Sequence, residues 1–109
     1  MSRVKGNIAE DKAVHFLEKD LYCIVDRNFY SRFGEIDIVA IKDDVLHFIE
    51  VKSGNNYEVA IENITPRKVA RIIKTLNIYL KKYNLDVEYS VDAVIVTPDE
   101  VLMVENITV

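Results

Sequence analysis

Four charged residues near the middle of the chain lie on two segments that are typical of the arms of one β-hairpin. Residues 33 to 42 alternate apolar and polar at their start, and residues 45 to 52 alternate at their end. If Asp43 and Asp44 between them form a two-residue turn, Asp37 faces Glu50. Two positions further from the turn, Glu35 faces Lys52. Because side chains repeat with a period of two along a strand, all four are predicted to lie on one side of the hairpin.

Carboxylates that face each other across a hairpin repel, so this pair needs a partner of opposite charge. Mg²⁺ and Mn²⁺ bind through one or two carboxylates together with water and phosphate oxygens. Asp37 and Glu50 are therefore candidate metal ligands, and the backbone carbonyl of Val51 is a candidate third. Such a metal lowers the pKa of bound water and polarises a phosphate, which suits phosphodiester hydrolysis. Lys52 lies about 7 Å beyond Glu50, where it can orient or deprotonate a water or stabilise charge on the phosphate.

A purely structural alternative is a ladder of ion pairs across the hairpin. The Glu35–Lys52 pair fits that interpretation and would stabilise the hairpin by less than about 1 kcal/mol. The ladder gives no reason for placing Asp37 opposite Glu50.

The surrounding pattern predicts the order helix, three strands, helix, two strands. We expect the first helix over residues 3 to 19, and Glu10 lies beside its apolar stripe, where it can reach the acidic cluster or the solvent. The second helix, which starts at Pro66 after the cap Thr65, carries a predicted core stripe of Val69, Ile73, Leu76, Leu80 and Tyr83. Strands are predicted over residues 21–29, 35–42, 45–52, 89–97 and 101–104, and residues 53–64 as a mobile connection.

The charge distribution is uneven. The net charge is −4, but residues 65 to 83 hold six basic residues and no acid, which leaves −10 for the rest of the chain. This segregation indicates either a basic surface beside an acidic site or a solvated helix face.

Length and composition bound the remaining possibilities. The 109 residues are expected to form one domain over residues 1–109. No apolar run is long enough for a membrane span, and the start lacks the apolar core of a signal peptide, so we expect a cytoplasmic protein. The single cysteine, Cys23, lies in an apolar run and is expected to be buried. His47 is expected to be a satisfied or half-exposed histidine and not a ligand.

Several short motifs together resemble a known family. They are Gly6-x-x-Ala9-Glu10, Arg27-Asn28, Gly34-Glu35-Ile36-Asp37, Glu50-Val51-Lys52, and, further on, Lys68, Tyr79-Leu80 and Asp92-x-Val94. Asp37, a gap of twelve residues and then Glu50-Val51-Lys52 is similar to the core of the PD-(D/E)xK nuclease superfamily. The whole set resembles the YraN-type small bacterial predicted endonucleases, which are similar to archaeal Holliday-junction resolvases.

The resemblance implies a restriction-endonuclease-like α/β core, a central mixed β-sheet flanked by helices in the order α-β-β-β-α-β-β. It also implies a metal-dependent endonuclease that acts on branched DNA, with a homodimer expected by analogy. Asp37 and Glu50 would bind Mg²⁺ or Mn²⁺, Lys52 would assist catalysis, Glu10 would be the auxiliary acid and Glu35 an accessory residue. The candidate nucleic-acid contacts are Arg27, Arg32, Arg67, Lys68, Arg71 and Lys74.

The chain departs from the family pattern at two positions. Gly54 and Ser90 stand where the family favours arginine, which removes two candidate phosphate contacts. This loss and the net acidity favour the alternative of a catalytically weak nucleic-acid-binding or assembly module with the same fold. A structural interaction domain, in which the acids form an ion-pair network, is the third hypothesis.

Overall fold

The computed structural model describes the backbone of residues 2–108 and the side chains of residues 8–108, so Gly6 lies outside the described side chains. The elements are α1 Ser2–Lys19, β1 Cys23–Ser31, β2 Gly34–Lys42, β3 Val45–Ser53, α2 Tyr57–Glu62, α3 Pro66–Lys82, β4 Tyr89–Val96 and β5 Val101–Val104. The predicted order is correct except for α2, which occupies the segment expected to be a mobile connection. Asn56 begins α2 because its side chain accepts a hydrogen bond from the Val59 N–H at 2.9 Å.

The five strands form one mixed sheet in the order β1-β2-β3-β4-β5. All neighbouring pairs are antiparallel except β3 and β4, which are parallel and are connected through α2 and α3. Helix α1 packs on one face of the sheet, while α2 and α3 pack on the other. The protein is therefore an α/β fold in which helices cover both faces of the sheet.

The turn between β2 and β3 confirms the predicted hairpin register near the turn. Asp43 and Asp44 have φ values of 50° and 66°, the left-handed region that a two-residue hairpin turn requires. Lys42 pairs with Val45, and the ladder continues to Ile38 and Ile49, where it ends. The predicted facing pairs of the acidic cluster therefore lie beyond the ladder.

The buried stripe of α3 differs from the predicted one. Ile72, Leu76 and Tyr79 are buried, whereas Tyr83 is 46% exposed. The helix has apolar residues on two overlapping faces. The face with Tyr79 is buried, since Tyr79 packs edge-to-face on an aromatic ring of β1 and on Phe48 of β3. No helix within the described residues combines the length and apolar character needed to cross a bilayer.

The prediction that Cys23 is buried is wrong, because its side chain is exposed. Cys23 begins β1, the edge strand of the sheet, and Val25 on the same side of that strand is 51% exposed. Between them, Ile24 packs against the core cluster under α1. The segment therefore has strand-forming apolar residues on both faces, but only one of these faces packs against the core.

His47 is satisfied by a buried carboxylate, as predicted. Its Nδ1 lies 2.6 Å from Oδ2 of Asp92, which is fully buried. Oδ1 of Asp92 accepts hydrogen bonds from the Ser90 hydroxyl at 2.7 Å and from the Asn106 N–H at 2.8 Å. Asp92 thus ties β3 and β4 to the segment after β5.

Replacing the central acid of this network should strongly destabilise the fold. We expect Asp92→Ala to lower the free energy of unfolding by about 3 kcal/mol or more, because three polar groups lose a buried partner. Ser90→Ala removes a single bond and should cost about 1 kcal/mol. Urea denaturation of both variants measures the difference, and a loss below about 1 kcal/mol in Asp92→Ala would contradict the network's importance.

Candidate active site

Two carboxylates lie together at the end of the sheet where β2 and β3 separate. Asp37 is 7% exposed and Glu50 is 5% exposed. Oδ2 of Asp37 accepts a hydrogen bond from the Val51 N–H at 2.8 Å. In a continuing ladder that N–H would bond to a β2 carbonyl. The Asp37 side chain therefore caps the hairpin ladder and holds β3 in place beside it.

The backbone of β1 has an unusual conformation beside this position. The pairing passes from Arg27–Ile38 to Phe29–Ile36, and Asn28 between them has a φ of 57°. Ile36 packs with the core cluster under α3, whereas Ile38 packs with the cluster under α1. Strict alternation thus fails at Asp37, so the prediction that period two places all four charged residues on one face is wrong for β2.

The pKa of Asp37 is raised from 3.8 to about 8. Burial is the largest cause, and the charge of Glu50 and a hydrogen bond between the two side chains come next. The hydrogen bond from Val51 opposes the shift, and the charge of Glu35 adds to it. Near neutral pH the carboxyl group of Asp37 therefore keeps its proton.

Glu10 reaches the same end of the sheet from α1 and contacts Glu35 through an amide. With its nitrogen facing the carboxylates, Asn28 donates to Glu10 Oε1 at 3.1 Å and to Glu35 Oε2 at 3.1 Å. Arg27 lies 3.6 Å from Glu10. Burial, followed by the charges of Asp37 and Glu35, raises the pKa of Glu10. The sequence indicated Asn28 only through the Arg27-Asn28 motif, and its bridging position was not predicted.

Two lysines from different elements complete the cluster. Lys68 of α3 places its Nζ 3.8 Å from Glu50 Oε1. Burial lowers the pKa of Lys52, and a contact with Lys68 and the charge of that residue lower it further, while Glu50 and Asp37 act in the opposite direction. The sequence suggested Lys68 as a nucleic-acid contact, but it gave no sign that α3 would bring this lysine to the carboxylates.

The donor atoms of the buried pair fit a hard divalent cation. Both are carboxylates, and the carbonyl of the adjacent Val51 is a further oxygen donor. Within residues 8–108 no group of three or more His, Cys, Asp or Glu side chains is arranged to hold a metal ion. Mg²⁺ does not need such a group, because it retains water and takes phosphate oxygens beside one or two carboxylates. A cation here would replace the proton of Asp37.

The candidate nucleic-acid contacts divide into three sets. Arg27 is paired with Asp11 at 2.9 Å as well as with Glu10, so its guanidinium faces acids. Arg67, Lys68 and Arg71 line a cleft that also includes Glu35 and Glu50. The other contacts, Arg32 and Lys74, lie beside the turn between β1 and β2.

The fold and the site together define an α/β protein with a buried carboxylate pair at the end of a five-stranded mixed sheet. Residues 9–96 match the model of the uncharacterised protein family UPF0102. The chain is similar to UPF0102 proteins of Sulfurimonas denitrificans, with 58% identity over 108 residues, and of Wolinella succinogenes, with 54% identity over 108 residues. The relative from Aliarcobacter butzleri is 50% identical over 109 residues, and each of these alignments covers 99% of both chains. The chain therefore belongs to UPF0102.

Proposed function

We propose that this protein is a metal-dependent endonuclease of the PD-(D/E)xK superfamily that hydrolyses phosphodiester bonds in structured or branched DNA. The observation that carries the proposal is the buried Asp37–Glu50 pair with Lys52 two residues further along the same strand. Two carboxylates held this close are costly unless a cation or a proton lies between them.

Each residue of the cluster has a role in the proposed reaction. Asp37, Glu50 and the Val51 carbonyl hold Mg²⁺ or Mn²⁺, which when bound polarises the phosphate and lowers the pKa of its water. Lys52 orients or deprotonates the attacking water, or stabilises charge on the phosphate. Glu10 is the auxiliary acid, and Glu35 fixes it through Asn28. The proposed partner is DNA, a homodimer is proposed by analogy with resolvases, and the proposed location is the cytoplasm.

The wild-type protein tests this proposal directly. Holliday junctions, flaps and single strands of the same sequence are incubated with Mn²⁺ or with a chelator, and thermal melting is followed in parallel. We expect Mn²⁺ to raise the melting temperature and to permit cleavage, faster on the branched substrates. If the protein does not bind Mn²⁺ at millimolar concentration and cleaves none of the substrates, the nuclease proposal is wrong.

A second candidate function is a catalytically weak binding or assembly module. One observation favours it. There is little room for a side chain at Gly54, since a Cβ there would lie 3.2 Å from the Cβ of Ala60 in α2. The arginine that the related pattern carries at this position would not fit without moving α2. Binding of junctions without Mn²⁺-dependent cleavage would support this module over the nuclease.

A further inference from the structure

A second cleft lies beside the acidic site, between the β1–β2 turn and α3. It has a volume of about 500 Å³ and is lined by Ser31, Arg32, Phe33, Gly34, Arg71 and Lys74. The guanidinium of Arg32 lies 4.9 Å from the centre of the Phe33 ring, and Nζ of Lys74 lies 5.1 Å from it. The aromatic ring thus holds two cations at one side of the cleft.

Arg32 and Lys74 differ from Lys68 and Arg27, because no acid is paired with them. Lys68 is paired with Glu50, and Arg27 with Glu10 and Asp11. Over residues 8–108, no carboxylate lies within 4.0 Å of Arg32, Arg71 or Lys74. Three cations around one cleft repel one another, and an anion bound between them would relieve that repulsion.

The second cleft is continuous with the carboxylate site. Gly34 and Arg71 line both the second cleft and the cleft that contains Glu35 and Glu50. Lys68, Arg71 and Lys74 follow one another at three-residue spacing on α3. From Lys68 to Lys74 the helix rises about 9 Å at about 1.5 Å per residue.

The chemistry of the cleft favours phosphate over a nucleobase. Phe33 is the aromatic residue that a base would stack on, but its ring already lies under Arg32 and Lys74. Guanidinium and ammonium groups without acidic partners instead match phosphate oxygens, and arginine binds them in a bidentate manner.

We propose that the cleft formed by Arg32, Phe33, Arg71 and Lys74 binds the phosphodiester backbone of a nucleic-acid strand beside the carboxylate site. Phe33 is a positioning residue that holds Arg32 and Lys74. The inference rests on the proposed nuclease function for the identity of the ligand, but it concerns binding and not cleavage.

The test measures binding without metal, so that it is independent of catalysis. The probe is a fluorescein-labelled single strand of 12 nucleotides, titrated by anisotropy in chelator at several salt concentrations. The variants are Arg32→Gln/Lys74→Gln and Arg71→Gln. The control is Lys19→Gln/Lys81→Gln, which removes the same charge from two exposed lysines outside both clefts. Thermal melting verifies that each variant is folded.

We expect the Arg32/Lys74 double variant to bind at least tenfold more weakly and the control less than twofold more weakly. The slope of log affinity against log salt should fall in magnitude by about 1.4 in the double variant, since each phosphate contact to a single strand contributes about 0.7. An unchanged slope, an equal loss in the control, or no binding by the wild type at low salt would overturn the inference. If the variants bind as expected but the protein cleaves no substrate, the phosphate cleft is supported and the nuclease function is refuted. If the protein cleaves DNA but the salt slope is unchanged in the double variant, the nuclease function is supported and the phosphate cleft is refuted.

Discussion

Asp37→Asn is expected to raise the melting temperature above that of the wild type at pH 8 in the absence of metal, and to abolish any stabilisation by Mn²⁺. The amide keeps an oxygen to accept the Val51 N–H and offers a donor to Glu50, so the hydrogen bonds of the buried position remain. What disappears is a buried carboxyl group whose ionisation opposes folding. One substitution should therefore change apo stability and metal response in opposite directions.

The sign follows from the pKa of Asp37, which is raised from 3.8 to about 8 in the folded protein. Protonated Asp37 contributes its full stabilisation of the fold below the unfolded pKa. This stabilisation is lost as the pH rises from about 4 through 8, because the carboxyl group releases its proton at a lower pH in the unfolded chain than in the folded protein. At pH 8 the variant should be more stable by at least about 2 kcal/mol, or about 8 °C or more in a domain of this size. Near pH 4 the two proteins should melt at similar temperatures.

Asp86→Asn is the matched control, since Asp86 is exposed in the segment before β4. It should leave the melting temperature and the Mn²⁺ response close to those of the wild type at every pH. Asp37→Asn that melts below the wild type at pH 8 would show that the carboxyl group is a net stabiliser. Retention of the Mn²⁺ response in that variant would remove Asp37 from the set of metal ligands.

Local sequence patterns predicted the parts of the fold that depend on local chemistry. The Asp43-Asp44 turn set the hairpin register because two residues in the left-handed region match the twist of the flanking strands. Thr65 and Pro66 located the start of α3, and the structure shows Thr65 accepting from the Lys68 N–H at 3.2 Å. Such signals act within a few residues, so they can be recognised without the tertiary structure.

The geometry of the candidate site could not be predicted in the same way. Period-two alternation predicted one shared face, but Ile36 and Ile38 on either side of Asp37 pack against opposite faces of the sheet. The position of Lys68 beside Glu50 depends on which face of α3 is buried, and the buried residues Ile72 and Tyr79 were not in the predicted stripe. Both features arise from packing between elements distant in the chain, which no local pattern contains.

Lys52→Ala is expected to reduce Mn²⁺-dependent cleavage by at least about 100-fold, the usual contribution of a positioned group that transfers a proton or stabilises charge. The fold and the Mn²⁺ response should remain, because Lys52 is half-buried and Asp37 and Glu50 are intact. Lys81→Ala, an exposed lysine near the end of α3, is the control and should cleave like the wild type. Cleavage by Lys52→Ala at the wild-type rate would exclude a catalytic role for this residue.

Lys52→Arg separates the two roles that the amine can have. Arginine stays protonated, so it can replace a cation that stabilises the phosphate but not a base that accepts a proton from water. The pKa of Lys52 is lowered by burial and then by Lys68. If Lys52 acts as a base, the cleavage rate should rise with pH up to this lowered pKa. If it acts as a cation, the rate should fall above this pKa. Lys68→Gln removes one cause of the lowering and should move either limb to higher pH. A limb that does not move in Lys68→Gln would assign the titration to another group, even if Lys52→Ala is inactive.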